Sequence, residues 1–210
     1  MHIGYPDWRW PHDERTLFLP GRLWAATTSA HVRNESILLR SDAHASIAEN
    51  LMPISPRLAS YLNERIARYE VCEHEHTETS AQTARCAHVS PRQLAKSVIL
   101  EDESGCVMAV VPADQRVHIG ELARLLGRHD LRLSDEARVK MLFHDCSPGA
   151  VPALGMAWGM ETILEQALES AAEIYIEAGD HEQLIKLSRE DFNALMRGAR
   201  RAHFTQAWQH

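Results

Sequence analysis

Apolar side chains recur at helical spacing soon after residue 51. Ser55-Pro56 favours a helix start, because serine caps a first turn and proline fits its first position. The pattern predicts that four side chains of this helix face the core: Leu58, Tyr61, Leu62 and Ile66. Residues 68–74 then alternate apolar and polar positions, which predicts a strand.

Two further strands are predicted at 94–101 and 105–112, joined by a turn of Asp, Glu, Ser and Gly. The second strand is apolar on both faces, which is typical of a strand in the middle of a sheet. Later elements follow from the same patterns: helices at 80–87 (capped by Thr79 or Ser80), 118–127, 134–144 (started by Ser134) and 190–202, and strands at 173–178 and 183–187.

Strands and helices are mixed without a regular βαβ rhythm, so the predicted class is α+β with a mixed sheet. The chain of 210 residues divides near residue 51. Residues 1–51 hold three tryptophans among prolines without a sustained period, and are interpreted as an N-terminal extension of unreadable role. Residues 52–200 form the predicted domain, and 201–210 a C-terminal tail.

The formal charge of −7, from 22 basic and 29 acidic side chains, argues against a general nucleic-acid binder and against a DNA partner. A local contact with a polynucleotide would use four arginines near the C-terminus, although an exposed helix face is the more usual explanation of such a run: Arg189, Arg197, Arg200 and Arg201. No apolar run reaches the roughly 18 residues of a membrane helix. No secretory signal is visible either, so a cytoplasmic protein is expected.

The four cysteines are widely spaced without a C-x-x-C pair, which fits a reducing compartment better than a disulfide scaffold. Cys72, His74 and His76 could be drawn as a metal cluster. In a strand they share a face without converging on one ion, and no second ligand pair follows at finger spacing. No metal is therefore expected, and these histidines are interpreted as solvated.

Lys96 is the first candidate for a functional side chain. Alternation along its strand puts the ammonium on the same face as three aliphatic side chains: Leu94, Val98 and Leu100. Burying an unpaired ammonium is costly, so Lys96 is expected to face a pocket with a polar ligand or a carboxylate. The alternative is an inward charge that protects an edge strand from aggregation.

The loop 146–155 is the second feature, because it carries two glycines, two prolines and no charge. Gly149 would let main-chain N–H groups approach a carbonyl or phosphate oxygen. A tight buried turn explains the same residues equally well. The sequence has neither a G-x-S-x-G elbow nor a glycine-rich phosphate loop with its lysine, so any hydrolysis would use water or a substrate group as attacker.

Four segments in order resemble the YbaK/EbsC family, the freestanding relatives of the editing domain of bacterial prolyl-tRNA synthetases. They are LAKSVIL at 94–100, AVVP at 109–112, PGAVPALG at 148–155 and AGDH at 178–181. The resemblance covers roughly residues 53–197 and implies the YbaK-like fold, an α+β domain whose mixed sheet is partly barrel-like.

The resemblance implies a trans-editing hydrolase that deacylates mischarged tRNA at the 3′-terminal adenosine, without a metal or other cofactor. It assigns Lys96 to holding the terminal nucleotide and acyl group, and Gly149 to offering backbone N–H groups to the scissile carbonyl. His181 would line the pocket, with Ala150 and Gly179 also binding substrate. The implied partners are the acceptor end of mischarged tRNA and an aminoacyl-tRNA synthetase.

Two positions depart from the family pattern. Ala153 stands where relatives carry the proline of Gly-x-x-x-Pro, and Glu165 stands where they often carry aspartate. The alternative function is accordingly a non-catalytic module of the same fold that binds an acyl-adenosine-like ligand or a protein partner. The amino acid removed and the tRNA recognised are not readable from the sequence.

Overall fold

The computed structural model describes residues 54–207, so the predicted extension at 1–51 lies outside the described residues. Within this range five α-helices surround a sheet: α1 (Pro56–Glu64), α2 (Ser80–Cys86), α3 (Ile119–Leu126), α4 (Glu136–Leu142) and α5 (Arg189–Leu195). Two 3₁₀ helices span Gly155–Trp158 and Gln166–Ser170. No helix among residues 54–207 combines the length and the apolar composition needed to cross a bilayer.

The described part of the chain contains ten strands: β1 (Tyr69–Glu73), β2 (Leu94–Asp102), β3 (Gly105–Pro112), β4 (Gln115–Val117), β5 (Arg132–Leu133), β6 (Glu161–Glu165), β7 (Glu173–Glu177), β8 (Gln183–Ser188), β9 (Arg200–Ala202) and β10 (Thr205–Ala207). Seven of them lie in the order β1-β8-β7-β2-β3-β6-β9, β5 pairs with β2, and β4 pairs with β10. The β2–β7, β3–β6 and β6–β9 pairs are parallel and the others are antiparallel. The predicted α+β class with a mixed sheet is confirmed.

Strand β3 is central, as its apolar pattern predicts, and it supplies both faces of the core. Met108 and Val110 join the larger cluster, which includes residues of α1 and α5. Val107 and Ala109 point the other way, into a cluster with Leu122 of α3. Two buried faces explain why this strand shows no polar alternation.

Helix α1 begins at Pro56 as predicted and buries Leu58, Tyr61 and Leu62, but the prediction for Ile66 is wrong. The helix ends at Glu64, and Ile66 follows with a φ of 53° and 87% of its surface exposed. The helical spacing therefore runs one turn past the point where the chain leaves the helix to enter β1.

Helix α4 is capped by Asp135, whose side chain accepts from the N–H of Arg138, and the prediction that Ser134 starts it is wrong. Ser134 is held by β2 instead. Its N–H donates to the Ile99 carbonyl at 3.0 Å and its hydroxyl to Glu101 at 2.9 Å. Asp and Ser both cap helices well, and here the pairing of β5 with β2 selects between them.

The helix predicted at 190–202 is wrong at its C-terminal half. Helix α5 ends at Leu195, and β9 then pairs in parallel with β6. Strand β10, within the segment interpreted as a tail, pairs with β4. Strand β6 itself has no prediction in the sequence, because its apolar run is short and follows the breaker-rich loop.

Candidate active site

The loop after α4 contains a tight turn at Ser147-Pro148-Gly149-Ala150. The Ala150 N–H donates to the Ser147 carbonyl at 3.0 Å, and Gly149 has a φ of +93°. Proline at the second position and glycine at the third are what a type II turn requires, because its third residue has a positive φ. The sequence thus fixes the turn locally, and Ala150 is buried below it.

His181 fixes the orientation of the central peptide of this turn. Its Nε2–H donates to the Pro148 carbonyl at 2.7 Å. Carbonyl and N–H of a trans peptide point to opposite sides, so this bond directs the Gly149 N–H away from the imidazole. Among residues 54–207 that N–H donates to no protein acceptor. A fixed, unused main-chain donor therefore stands at the tip of the turn.

The same turn is too crowded for a side chain at Gly149. A Cβ there would lie 3.1 Å from the His181 ring, in addition to the strain of the positive φ. The segment that carries His181 also holds the base of the loop, because the Gly179 carbonyl accepts the Ser147 N–H at 2.7 Å. Gly179 has a φ of +123°, and a Cβ there would meet Ser55 at 3.1 Å.

An open cleft of about 590 Å³ lies beside this turn. The His76 and His181 ring centroids are 5.5 Å apart, and the Glu78 carbonyl is 3.9 Å from where a Gly149 Cβ would stand. Helix α2 supplies the opposite wall. The lining is polar and contains His76, Thr77, Glu78, Gln82, Arg85 and Cys86.

Lys96 is half-buried, and its ammonium donates to the Ala113 carbonyl at 3.0 Å. Burial lowers the pKa of Lys96, and the nearby Asp114 carboxylate offsets part of that effect. The next residue, Ser97, donates to the Val151 carbonyl at 2.8 Å, so Lys96 projects from the opposite face of β2 to the loop. The structure brings Gly149, Ala150, Gly179 and His181 together, and puts Lys96 on the other face.

A buried hydrogen-bond chain behind the cleft has no counterpart in the sequence predictions. The Thr77 and Thr83 hydroxyls are 2.7 Å apart, and Thr83 donates to Oε1 of Glu177 at 3.1 Å. Glu177 is only 5% exposed, and burial raises its pKa to about 7, against smaller lowering effects of Thr83 and the charge of His74. The available signal was a glutamate directly after the apolar run Ile174-Tyr175-Ile176.

Glu165, the second departure from the family pattern, is 1% exposed at the end of β6. It accepts hydrogen bonds from the Phe204 N–H and the His203 ring, both at 2.8 Å, and from Thr205 and the Ala167 N–H. Burial would raise its pKa, but these donors outweigh burial and hold the pKa below its usual range. Glu165 therefore fastens the segment after β9 to the sheet.

Cys146, the thiol beside the turn, is not a competent nucleophile, because burial raises its pKa to about 12. Cys72, His74 and His76 are the residues that the sequence analysis considered and rejected as a metal cluster. Among residues 54–207 no three side chains of His, Cys, Asp or Glu are grouped to hold a metal ion.

The fold and the site together define a class: an α+β domain in which a glycine turn and a histidine border a polar cleft. A family model described as the aminoacyl-tRNA editing domain matches residues 74–195. The match covers more than half of the sequence, and the chain belongs to this family, which confirms the resemblance to YbaK-type proteins. No curated protein matches the chain.

Solved structures share the fold at low identity. A crystal structure described as a proposed trans-editing enzyme for prolyl-tRNA synthetase is 24% identical with a TM-score of 0.66, and covers 75% of this chain and 99% of its own. The hypothetical protein APE2540 is 22% identical with a TM-score of 0.64, covering 71% and 99%. A scaffold from computational epitope grafting is 24% identical with a TM-score of 0.65, covering 75% and 100%.

Proposed function

We propose that the chain hydrolyses the ester between a wrong amino acid and the 3′-terminal adenosine of tRNA. Membership of the editing-domain family supports tRNA deacylation in general. The single observation that carries the proposal is the Gly149 N–H, held in direction by His181 and left without a protein acceptor among residues 54–207. A donor of that kind stabilises the charge that develops on a carbonyl oxygen during acyl transfer.

The reaction follows from this placement. The ester carbonyl oxygen accepts the Gly149 N–H, and a water oxygen adds to the carbonyl carbon while its proton passes to a base. The tetrahedral intermediate collapses by breaking the bond to the ribose oxygen, which takes up a proton. The products are the free amino acid and tRNA. Water as attacker agrees with the inert Cys146 thiol.

The cleft beside the turn would hold the terminal nucleotide. Gln82 and Arg85 line it and are exposed, so they offer hydrogen-bond donors to a sugar or a phosphate. Lys96 lies near the same end of the sheet, since Ala95 pairs with Ile176 close to where β7 leads into the His181 segment. In this proposal the Lys96 ammonium binds a phosphate of the acceptor end from the other face of β2.

The test is hydrolysis of tRNAs mischarged with alanine, cysteine, serine or threonine. One fold neighbour is described as acting for prolyl-tRNA synthetase, so tRNA specific for proline is the first to try. Wild type should deacylate at least one member of the panel. Gly149→Ala should lose about 100-fold or more in kcat, as expected when an oxyanion donor is displaced.

Gly105→Ala is the matched control, because Gly105 also has a positive φ but lies in the β2–β3 turn with open space around it. It should keep wild-type turnover. Lys96→Ala should reduce turnover with an unchanged circular dichroism spectrum. Absence of turnover by wild type across the panel would instead favour the non-catalytic module that binds an acyl-adenosine-like ligand or a protein partner.

A further inference from the structure

The cleft wall contains a chain of hydrogen-bonded polar side chains that has no role in the proposed hydrolysis of the ester. Thr77 lines the cleft, and its hydroxyl is bonded to Thr83, which in turn donates to the buried Glu177. Thr83 is fully buried, so the chain links the cleft to a carboxyl that solvent does not reach. A buried carboxyl of this kind is retained at a cost, which favours a binding or catalytic role.

Two buried side-chain atoms in this region have no hydrogen-bond partner within residues 54–207: Glu177 Oε2 and His74 Nε2. His74 Nδ1 lies 2.8 Å from the Glu75 carbonyl and donates to it. His74 is close enough to Glu177 for its charge to act on the carboxyl. The region therefore contains a carboxylate oxygen that no donor within residues 54–207 reaches.

The ionised Glu177 also sets the polarity of Thr77. The Thr83 hydrogen is directed at two acceptors, Glu177 Oε1 and the Thr79 carbonyl, both at 3.1 Å. The Thr83 oxygen therefore receives the hydrogen of Thr77. The remaining lone pairs of the Thr77 oxygen are then available to a donor in the cleft. A positively charged donor fits best, because the uncompensated carboxylate lies behind the two hydroxyls.

We propose that Thr77, backed by Thr83 and Glu177, is the subsite for the free α-ammonium group of the aminoacyl ester. This inference rests on the proposed deacylation and adds a substrate class to it. An ester whose amino group is acylated has neither the charge nor the three donors, so it should be a poor substrate. The chain would thus act on aminoacyl-tRNA and spare tRNA that carries an N-blocked or peptidyl group.

The experiment compares the best substrate of the panel with the same tRNA after chemical N-acetylation. Wild type should prefer the free amine by at least tenfold in kcat/KM at pH 7.5. Glu177→Gln should bring that ratio close to one by slowing the free ester alone. Glu75→Gln removes a nearby exposed charge outside the cleft and should keep the wild-type ratio.

The pH dependence of the preference for the free amine, together with variants of Thr77, distinguishes ammonium binding from a structural role of Glu177. The wild-type preference should decline as pH falls through about 7, because burial raises the pKa of Glu177 to about 7, with smaller effects of Thr83, His74 and Asp180. The Glu177→Gln ratio should stay flat. Thr77→Val should lose the preference and Thr77→Ser should retain it.

The remaining outcomes distinguish failure of the ammonium subsite from failure of the proposed deacylase. If wild type hydrolyses both esters equally, or if Glu177→Gln slows both by the same factor, the ammonium subsite is wrong and the deacylase stands. If wild type hydrolyses neither ester, the proposed function fails and the subsite fails with it.

Discussion

Glu165 ends β6 and Glu177 ends β7, two strands of the same sheet with β2 and β3 between them, and both glutamates are almost completely buried. Their surroundings differ. Glu165 receives four hydrogen bonds, and its pKa lies below the usual range. Glu177 receives one, from Thr83, and its pKa is raised to about 7.

The difference shows that burial alone does not determine what a carboxyl does. Where the fold supplies enough donors, the charge is stable and becomes a fastening between segments. Where the fold supplies few donors, the buried charge destabilises the protein, and the carboxylate can interact with a ligand that has hydrogen-bond donors of its own. Substitutions at the two glutamates and at their donors should therefore differ in sign, size and pH dependence.

Glu165→Gln should lower the free energy of unfolding by roughly 2–4 kcal/mol at pH 7, because an amide cannot accept four hydrogen bonds and turns its own donors toward the Phe204 N–H. Urea unfolding followed by circular dichroism measures this. Glu103→Gln, in the exposed β2–β3 turn, should stay within about 0.5 kcal/mol. An equal loss in both variants would contradict the fastening role.

Glu177→Gln should have the opposite sign and stabilise the protein at pH 8. The folded protein holds the Glu177 proton more tightly than the unfolded chain, so stability falls as pH rises from about 4.5 to about 7. Ionising Glu177 in the folded protein lowers the free energy of unfolding by an amount on the order of 3 kcal/mol. Glu177→Gln should recover about 1–3 kcal/mol of this loss at pH 8. At pH 4 the two proteins should unfold at similar urea concentrations; a variant less stable at pH 8 would refute the contrast.

Thr83→Val should sharpen the contrast by removing the one donor to Glu177. We expect a loss of about 1–2 kcal/mol at pH 8 and a smaller loss at pH 5, since only the ionised carboxyl needs the donor. Thr205→Val is the comparison at Glu165, where three other donors remain. The stability lost in Thr205→Val should depend less on pH between pH 5 and pH 8. Thermal unfolding of both variants at these two pH values measures the difference.

His203→Ala should give the smallest effect. The imidazole bonds to Glu165 at 2.8 Å, but its side chain is 76% exposed. Exposed pairs of this type contribute about 0.2–1 kcal/mol. Urea unfolding in low and high salt should show a loss of that size that shrinks with salt, while a loss above 2 kcal/mol would mean that His203 carries the fastening.

The parts of the fold that the sequence predicted correctly depend on local patterns. The start of α1, the β2–β3 hairpin and the buried β3 follow from neighbouring residues. The errors lie where tertiary contacts decide: pairing of β5 with β2 makes Ser134 a sheet residue rather than a cap, and pairing with β6 converts the end of the expected last helix into β9.

The site divides in the same way. Pro148-Gly149 encodes its own turn, so the main-chain donor could be anticipated from the loop. The contact of His181 with Pro148 spans 33 residues, and the assignment of His181 came from the family resemblance. The Thr83–Glu177 bond spans 94 residues, and neither partner stands out locally. The sequence likewise could not show that Lys96 lies on the face of β2 opposite to the loop, because this follows from the long-range contact of Ser97 with Val151.

The central donor of the site belongs to the main chain, which has a genetic consequence. Of the twenty residues, only proline lacks an N–H, so almost no missense change at position 149 removes the donor itself. Changes act by tilting it, either through a side chain at Gly149 or through loss of the His181 bond. In a deep mutational scan for deacylation, intolerance should therefore appear as two separated peaks, one at the turn and one at the distant histidine that aims it.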